Sequence, residues 1–269
     1  MTELAPAIPQ AQRRPSVFWA LSDTWELFKR TVIQIRQTPG DLFSFVIVQP
    51  VLLIVLFRYV FGGAVETDED SYANFLIPGV IAANAALVSM TAAVGVATDM
   101  SSGIVDRFRS LPMSQSAILG GTVLANTVRS MAALIAMVLI GLLVGFGPQA
   151  DVGGWLAVIA LLLLVSYAFS WLLALVGLVA GSVEAAWQMS ALVWPLAFLS
   201  TAFVPAESMP AGLEAFAANQ PISEAIDATR ALLLGEPVGD HAWITVAWCL
   251  GITVAAAAAA RILFRRRFS

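Results

Sequence analysis

An all-α protein built into a membrane is the fold class the sequence predicts, and three observations predict it. Of its 269 residues, 59% are hydrophobic and only 12% charged, with a mean hydropathy of +0.84. That is more apolar than a soluble domain, which must cover itself with polar groups. The apolar residues gather into runs of about 18 or more, long enough as helices to cross a hydrocarbon core of roughly 30 Å. Neither 154–181 nor 242–260 alternates with the period of two that a membrane-barrel strand requires.

Residues 1–15 hold three prolines and no apolar core, which predicts a flexible tail and not a signal peptide. Over 16–37 the apolar residues Val17, Leu21, Trp25, Phe28, Val32 and Ile35 recur at steps of three and four. Asp23, Glu26, Arg30, Gln34 and Gln37 fall opposite, so the spacing predicts an amphipathic helix lying in the membrane interface. Pro39-Gly40 stops it, and Asp41 is a candidate cap for the first of six expected spans, 42–61. That span carries Pro50, expected to kink it, and Arg58, placed to snorkel outward. The acidic stretch 62–73 leads to span 2, 74–98, rich in the small residues that let helices approach closely in lipid. Spans 3 and 4 are expected at 117–146 and 154–181, and span 5, with Trp194-Pro195, at 186–204. The segment 205–241 is too polar to span. Its two short helical patterns, 210–219 and 223–234, are parted by Gln220-Pro221 and stopped by Gly235. Span 6, 242–260, closes the 42–262 transmembrane domain, and the tail 261–269 carries four arginines.

The basic residues set the orientation. Five lie in the first 40 residues, Arg107 and Arg109 between spans 2 and 3, and four at the end, whereas the remaining connections carry only Arg230. Both termini and the 99–116 connection are therefore expected on the cytoplasmic side of the cell membrane.

Much chemistry is excluded by counting. Cys249 and His241 are each the sole residue of their kind, which removes cysteine frameworks, zinc clusters and most nucleophilic catalysis. Lys29, the one lysine, lies in Phe-Lys-Arg, so the chain has no P-loop and is expected to be no enzyme. Asp99 and Glu184 fall at span ends, which disfavours a proton relay through the membrane. Asn84, Gln49 and Arg129 look too scattered to form an intramembrane polar cluster, and Asp227 and Arg230, three apart, read as a local ion pair.

The segment 101–114 stands apart. Ile104, Val105 and Phe108 alternate with Asp106, Arg107 and Arg109 over about two helical turns ended by Leu111-Pro112. Apolar knobs mixed with both charges suit docking to a soluble protein better than to lipid.

Gly103-Ile-Val-Asp-Arg-Phe-Arg-Ser-Leu-Pro-Met-Ser114 resembles the corresponding segment of ABC-2 type exporter permeases, in particular the daunorubicin-resistance type. Phe75-Leu-Ile-Pro-Gly79, Ser200-Thr-Ala-Phe-Val-Pro-Ala-Glu-Ser-Met-Pro210 and Asp227-Ala-Thr-Arg-Ala-Leu-Leu-Leu-Gly235 carry the same resemblance, in order, over nearly the whole chain. It implies a six-span exporter subunit, paired with a like or unlike second permease and bound to two copies of a separate P-loop ATPase that holds the ATP and magnesium. Ile104, Asp106, Arg107, Phe108, Arg109, Leu111 and Pro112 would belong to the coupling helix that sits on the ATPase. The Val17–Ile35 helix would be the connecting helix, and 210–234 the re-entrant outer helices. The implied cargo is a drug, lipid or polyketide-like amphiphile, with no cofactor in this chain and no nucleic-acid partner. The rival expectation is a secondary transporter driven by an ion gradient.

Overall fold

The computed structural model describes residues 48–61, 69–102 and 115–268. The amphipathic 16–37 helix and the 103–114 segment, with all the coupling residues named above, lie outside them. Every regular element among the described residues is helical. Helix α1 (Gln49–Leu56) continues into a wider π turn, Phe57–Phe61. Pro50 falls in the first turn of α1. Helices α2 (Glu69–Val88) and α3 (Met90–Ser101) follow end to end, then α4 (Gln115–Leu143) and α5 (Val152–Val179). The short α6 (Val183–Ser190) and α7 (Val193–Phe198) precede a 3-10 turn at Ala206–Ser208. Helices α8 (Ala211–Asn219), α9 (Pro221–Leu234) and α10 (His241–Phe268) complete the fold.

Four helical stretches are long and apolar enough to cross a membrane: Tyr72–Ser101, Leu119–Leu143, Val152–Val179 and His241–Leu263. Along residues 186–204, the expected fifth span, the helix is interrupted at 191–192 between α6 and α7 and turns after Phe198. Pro195 accounts for the interruption. It has no N–H for the Ala191 carbonyl, which takes the Trp194 N–H at 3.0 Å and tightens the chain locally.

Helix α5 is the axis of the packing. It is apolar on every side, starts where the Asp151 carboxylate accepts the Gly154 N–H at 2.7 Å, and touches α2, α3, α4, α9 and α10. The main core lies where α2, α4, α5 and α9 meet, around Leu76, Ile77, Ile81, Met137, Val158, Ile222 and Ile226. By contrast α10 keeps Trp243, Trp248, Leu250 and Val254 on its outer surface, as a lipid-facing helix does.

Two glycines set how closely the elements approach. A Cβ on Gly79 of α2 would stand 2.6 Å from the Ala202 carbonyl oxygen, and one on Gly177 of α5 would overlap the Ala93 carbonyl of α3. Backbones meet there without side chains between them, as small residues permit in lipid. Gly177→Val must push α3 off α5. It is expected to cost about 1–3 kcal/mol and to lower the melting temperature of the detergent-purified chain by several degrees. An unchanged melt would show that the contact is looser than described.

Candidate functional site

Three of the four stretches singled out in the sequence meet at one place. Arg230 on α9 donates from Nη1 to Asp227 Oδ1 at 2.8 Å, from Nη2 to the Thr201 carbonyl at 2.8 Å, and from Nε to the Phe75 carbonyl at 3.2 Å. Its guanidinium also lies over the Phe75 ring, 3.9 Å from the centroid. Thr201 Oγ1 donates to the same Asp227 oxygen at 2.9 Å, and the Ser223 hydroxyl accepts the Thr201 N–H at 3.3 Å. The local ion pair expected from the sequence is present. It is also the hub of a clamp joining α2, the 200–203 turn and α9. Burial works against the Arg230 charge and lowers its pKa, while Asp227 opposes that shift. The other ionisable contact of this region, His241 Nδ1 to the buried Glu224 Oε2 at 2.7 Å, ties the start of α10 to α9.

Deeper in the bundle the helix of α2 and α3 is interrupted at Ser89. The Ser89 N–H bonds to the Ala86 carbonyl at 3.1 Å, and the Ala92 N–H to the Ser89 carbonyl at 2.9 Å, both at three-residue spacing. The Ser89 hydroxyl stands 3.1 Å from the carbonyls of Ala85 and of Ser166 on α5. From there a chain of hydrogen bonds crosses three helices. Ser130 and Ser166 share a hydroxyl bond at 2.5 Å, Ser170 donates to the Ser166 carbonyl at 2.6 Å, and Asn126 Nδ2 donates to Ser170 Oγ at 2.7 Å. Thr91 donates to Asn126 Oδ1 at 2.5 Å and accepts from Arg129 Nη1 at 2.7 Å.

The expectation that intramembrane polar groups are scattered is thus corrected. Considering only Asn84, Gln49 and Arg129 passed over serine. The signal was the one-turn spacing of Asn126 with Ser130 and of Ser166 with Ser170, which sets each pair on one helix face. Every link named in the chain is a hydroxyl, an amide, a backbone carbonyl or a guanidinium, so it holds no carboxylate or imidazole to titrate near neutral pH.

Between α1, α2 and α7 runs a narrow cleft with a cavity volume of about 10 Å³. Aromatic rings form one wall. Phe57 stacks on Phe203 with centroids 4.4 Å apart, Phe203 on Phe198 at 5.2 Å, and Phe198 on Trp194 at 5.8 Å, with interplanar angles of 29°, 17° and 22°. A second cleft, again of about 10 Å³, lies between α2, α4 and α5 and reaches Ser130. Asn84 borders both. Among the described residues no group of three or more His, Cys, Asp or Glu is placed to hold a metal.

A helical body of this kind, apolar outside and joined within by serines and one clamp, matches a known family profile. The profile of the ABC-2 type transporter family covers residues 22–234. The chain belongs to that family. Among the ABC-2 relatives is the daunorubicin resistance ABC transporter permease protein of Streptomyces coeruleorubidus, 35% identical over 84% of this chain and 80% of its own length. Another is a Mycobacterium tuberculosis protein named "Probable doxorubicin resistance ABC transporter permease protein", 28% identical over 98% of this chain and 95% of its own. The ABC-2 chain is accordingly a membrane-embedded permease homologue of drug-resistance transporters. Its relatives are permease subunits, and its own sequence carries no P-loop.

Proposed function

We propose that this ABC-2 chain is the membrane-spanning subunit of an exporter that moves an amphipathic or apolar compound out of the cytoplasm, driven by a separate ATPase. The single observation that carries the reading is the match, over most of the chain, to permeases of drug-resistance transporters. Two copies of the ATPase, holding ATP and magnesium, dock on the segment 103–112 of two permease subunits. The 16–37 helix lies in the cytoplasmic interface, six spans cross the cell membrane with both termini inside, and α8 and α9 form the re-entrant outer pair. The residue types of the polar chain favour this over gradient-driven transport, since hydroxyls and amides order helices but store no proton at neutral pH.

The test is a gentle-detergent purification of the tagged chain from its native host. A P-loop ATPase is expected to co-purify, and vesicles containing both are expected to export with ATP present after the proton gradient is collapsed. Export that follows the gradient at constant ATP would move the assignment to a secondary transporter.

A further inference from the structure

The interruption at Ser89, between α2 and α3, and the one at 191–192, between α6 and α7, are built alike. At each a fully buried serine turns its hydroxyl back on the carbonyl four residues earlier, Ser89 on Ala85 at 3.1 Å and Ser190 on Ala186 at 2.6 Å. Hydroxyls bonded in this way compete with the helix ladder and bend it. At each the backbone also drops to three-residue steps. The Ala92 N–H bonds to the Ser89 carbonyl at 2.9 Å, and the Trp194 N–H to the Ala191 carbonyl at 3.0 Å. Short 3-10 stretches inside a long helix often mark hinges.

The two interruptions also lie side by side. Helix α6 packs on α3 and α7 on α2, whereas helices broken at different depths would pack the half before one break against the half beyond the other. The α2–α7 pair is fastened. Leu76, Ile77 and Ile81 of α2 are wholly buried in the main core, and Gln220 at the start of α9 donates from Nε2 to the Leu196 and Leu199 carbonyls at 3.1 and 2.6 Å. The Arg230 clamp holds the turn that follows. The α3–α6 pair is fastened less. Its buried residues are Met90, Ala92, Ala93, Val96 and Ala97 on α3, with Ala186 and Ser190 on α6. Side chains this small raise shallow ridges, which a neighbouring helix can ride over.

We propose that the two interruptions form one hinge, on which the α3–α6 pair tilts as a unit against the α2–α7 pair. The Ser89 hydroxyl also stands against the Ser166 carbonyl of α5, so the axis passes through a point fixed on the bundle. A tilt of about 20°, the size of a sharp helix kink, carries the far end of the 12-residue α3 through roughly 6 Å. A push on the segment after α3 thereby moves α6 with it. The hinge needs neither cargo nor ATPase, and its test reads neither, so its failure leaves the exporter reading untouched.

The full chain carrying Cys249→Ala is spin-labelled at pairs of introduced cysteines in lipid nanodiscs, and the distance distributions are measured by double electron–electron resonance. Thr98→Cys on α3 and Glu184→Cys on α6, each paired with Val254→Cys on α10, report the tilting pair. Leu199→Cys, at the end of α7, paired with Val254→Cys reports the fastened one, and all four positions are exposed. The first two distributions are expected to exceed the third in width by about 4 Å, the sweep of a label seven to nine residues from the hinge. Pro195→Ala gives the Ala191 carbonyl its missing N–H, and Ser89→Ala removes the back-bonded hydroxyl, so each heals one interruption. Because the pair tilts as a unit, either variant is expected to narrow both distributions, Pro195→Ala acting on the Thr98 label and Ser89→Ala on the Glu184 label. If Pro195→Ala does not fold, Ser89→Ala decides alone. Three distributions of equal width, or a folded variant that fails to narrow the label on the other helix, would overturn the proposal.

Discussion

Export is expected to stop when Arg107 and Arg109 are both changed to glutamate, while the protein still inserts and folds. In the sequence Phe108 lies between the two arginines and Asp106 beside them. An interfacial anchor would need the positive charges but not the carboxylate or the ring, so the mixture fits a protein surface of matched charge. Losing one partner of a buried interfacial charge pair typically costs about 2–5 kcal/mol, and reversal adds repulsion to that loss. Affinity for the ATPase should therefore fall by at least about thirtyfold, and ATP-dependent transport with it. Orientation should survive, because five basic residues before residue 40 and four after 260 still mark the inner side. Co-purification of the ATPase and ATP-driven efflux are the two readouts. Efflux that persists in a correctly inserted double variant would place the docking surface elsewhere.

Arg230→Met is the second large effect. The substitution leaves the Asp227 carboxylate, whose side chain is 25% exposed, without its cation. It also frees the Phe75 and Thr201 carbonyls, which accept from the guanidinium. Removing one member of a largely buried ion pair costs about 3–5 kcal/mol, whereas replacing both by uncharged groups of like volume is often far milder. The expected result is a clear fall in melting temperature for Arg230→Met and a partial recovery when Asp227→Asn is added. Equal melts for the single and double variants would mean that the clamp holds by its two carbonyl bonds and the Phe75 stack, not by the ion pair.

Composition and run length were enough to read a helical membrane protein, because a hydrocarbon solvent forces continuous apolar segments with internally bonded backbone. The ion pair of Asp227 and Arg230 was readable too, since three-residue spacing on a helix brings side chains together. Its reach was not. The Phe75 and Thr201 carbonyls are distant in sequence and are backbone groups, so no residue type announces them. The interruption at Ser89 had no local sign either. Leu87-Val88-Ser89-Met90 contains neither proline nor glycine, and the break goes with a hydroxyl placed against the Ser166 carbonyl of another helix. Pro195 gave a better warning. Its missing N–H cannot reach the Ala191 carbonyl, and the helix breaks one turn before it, at 191–192. The aromatic cleft was illegible for a simpler reason: Phe57, Phe203, Phe198 and Trp194 come from three separate segments whose alignment exists only in the packed bundle.

The two halves of the span that meets at Ser89 keep different company. Helix α2 packs on α9 and lies against the 200–203 turn, while α3 packs on α5 and α6. Ser89 itself is tied sideways to α5 through the Ser166 carbonyl. Mechanically this is a pivot pinned to its bearing. A thrust along the axis from the α3 side is borne by α5 at the pin, whereas a twist of either half need not turn the other. The two halves thus share one anchor on α5 while each leans on an element of its own, α9 for α2 and α6 for α3.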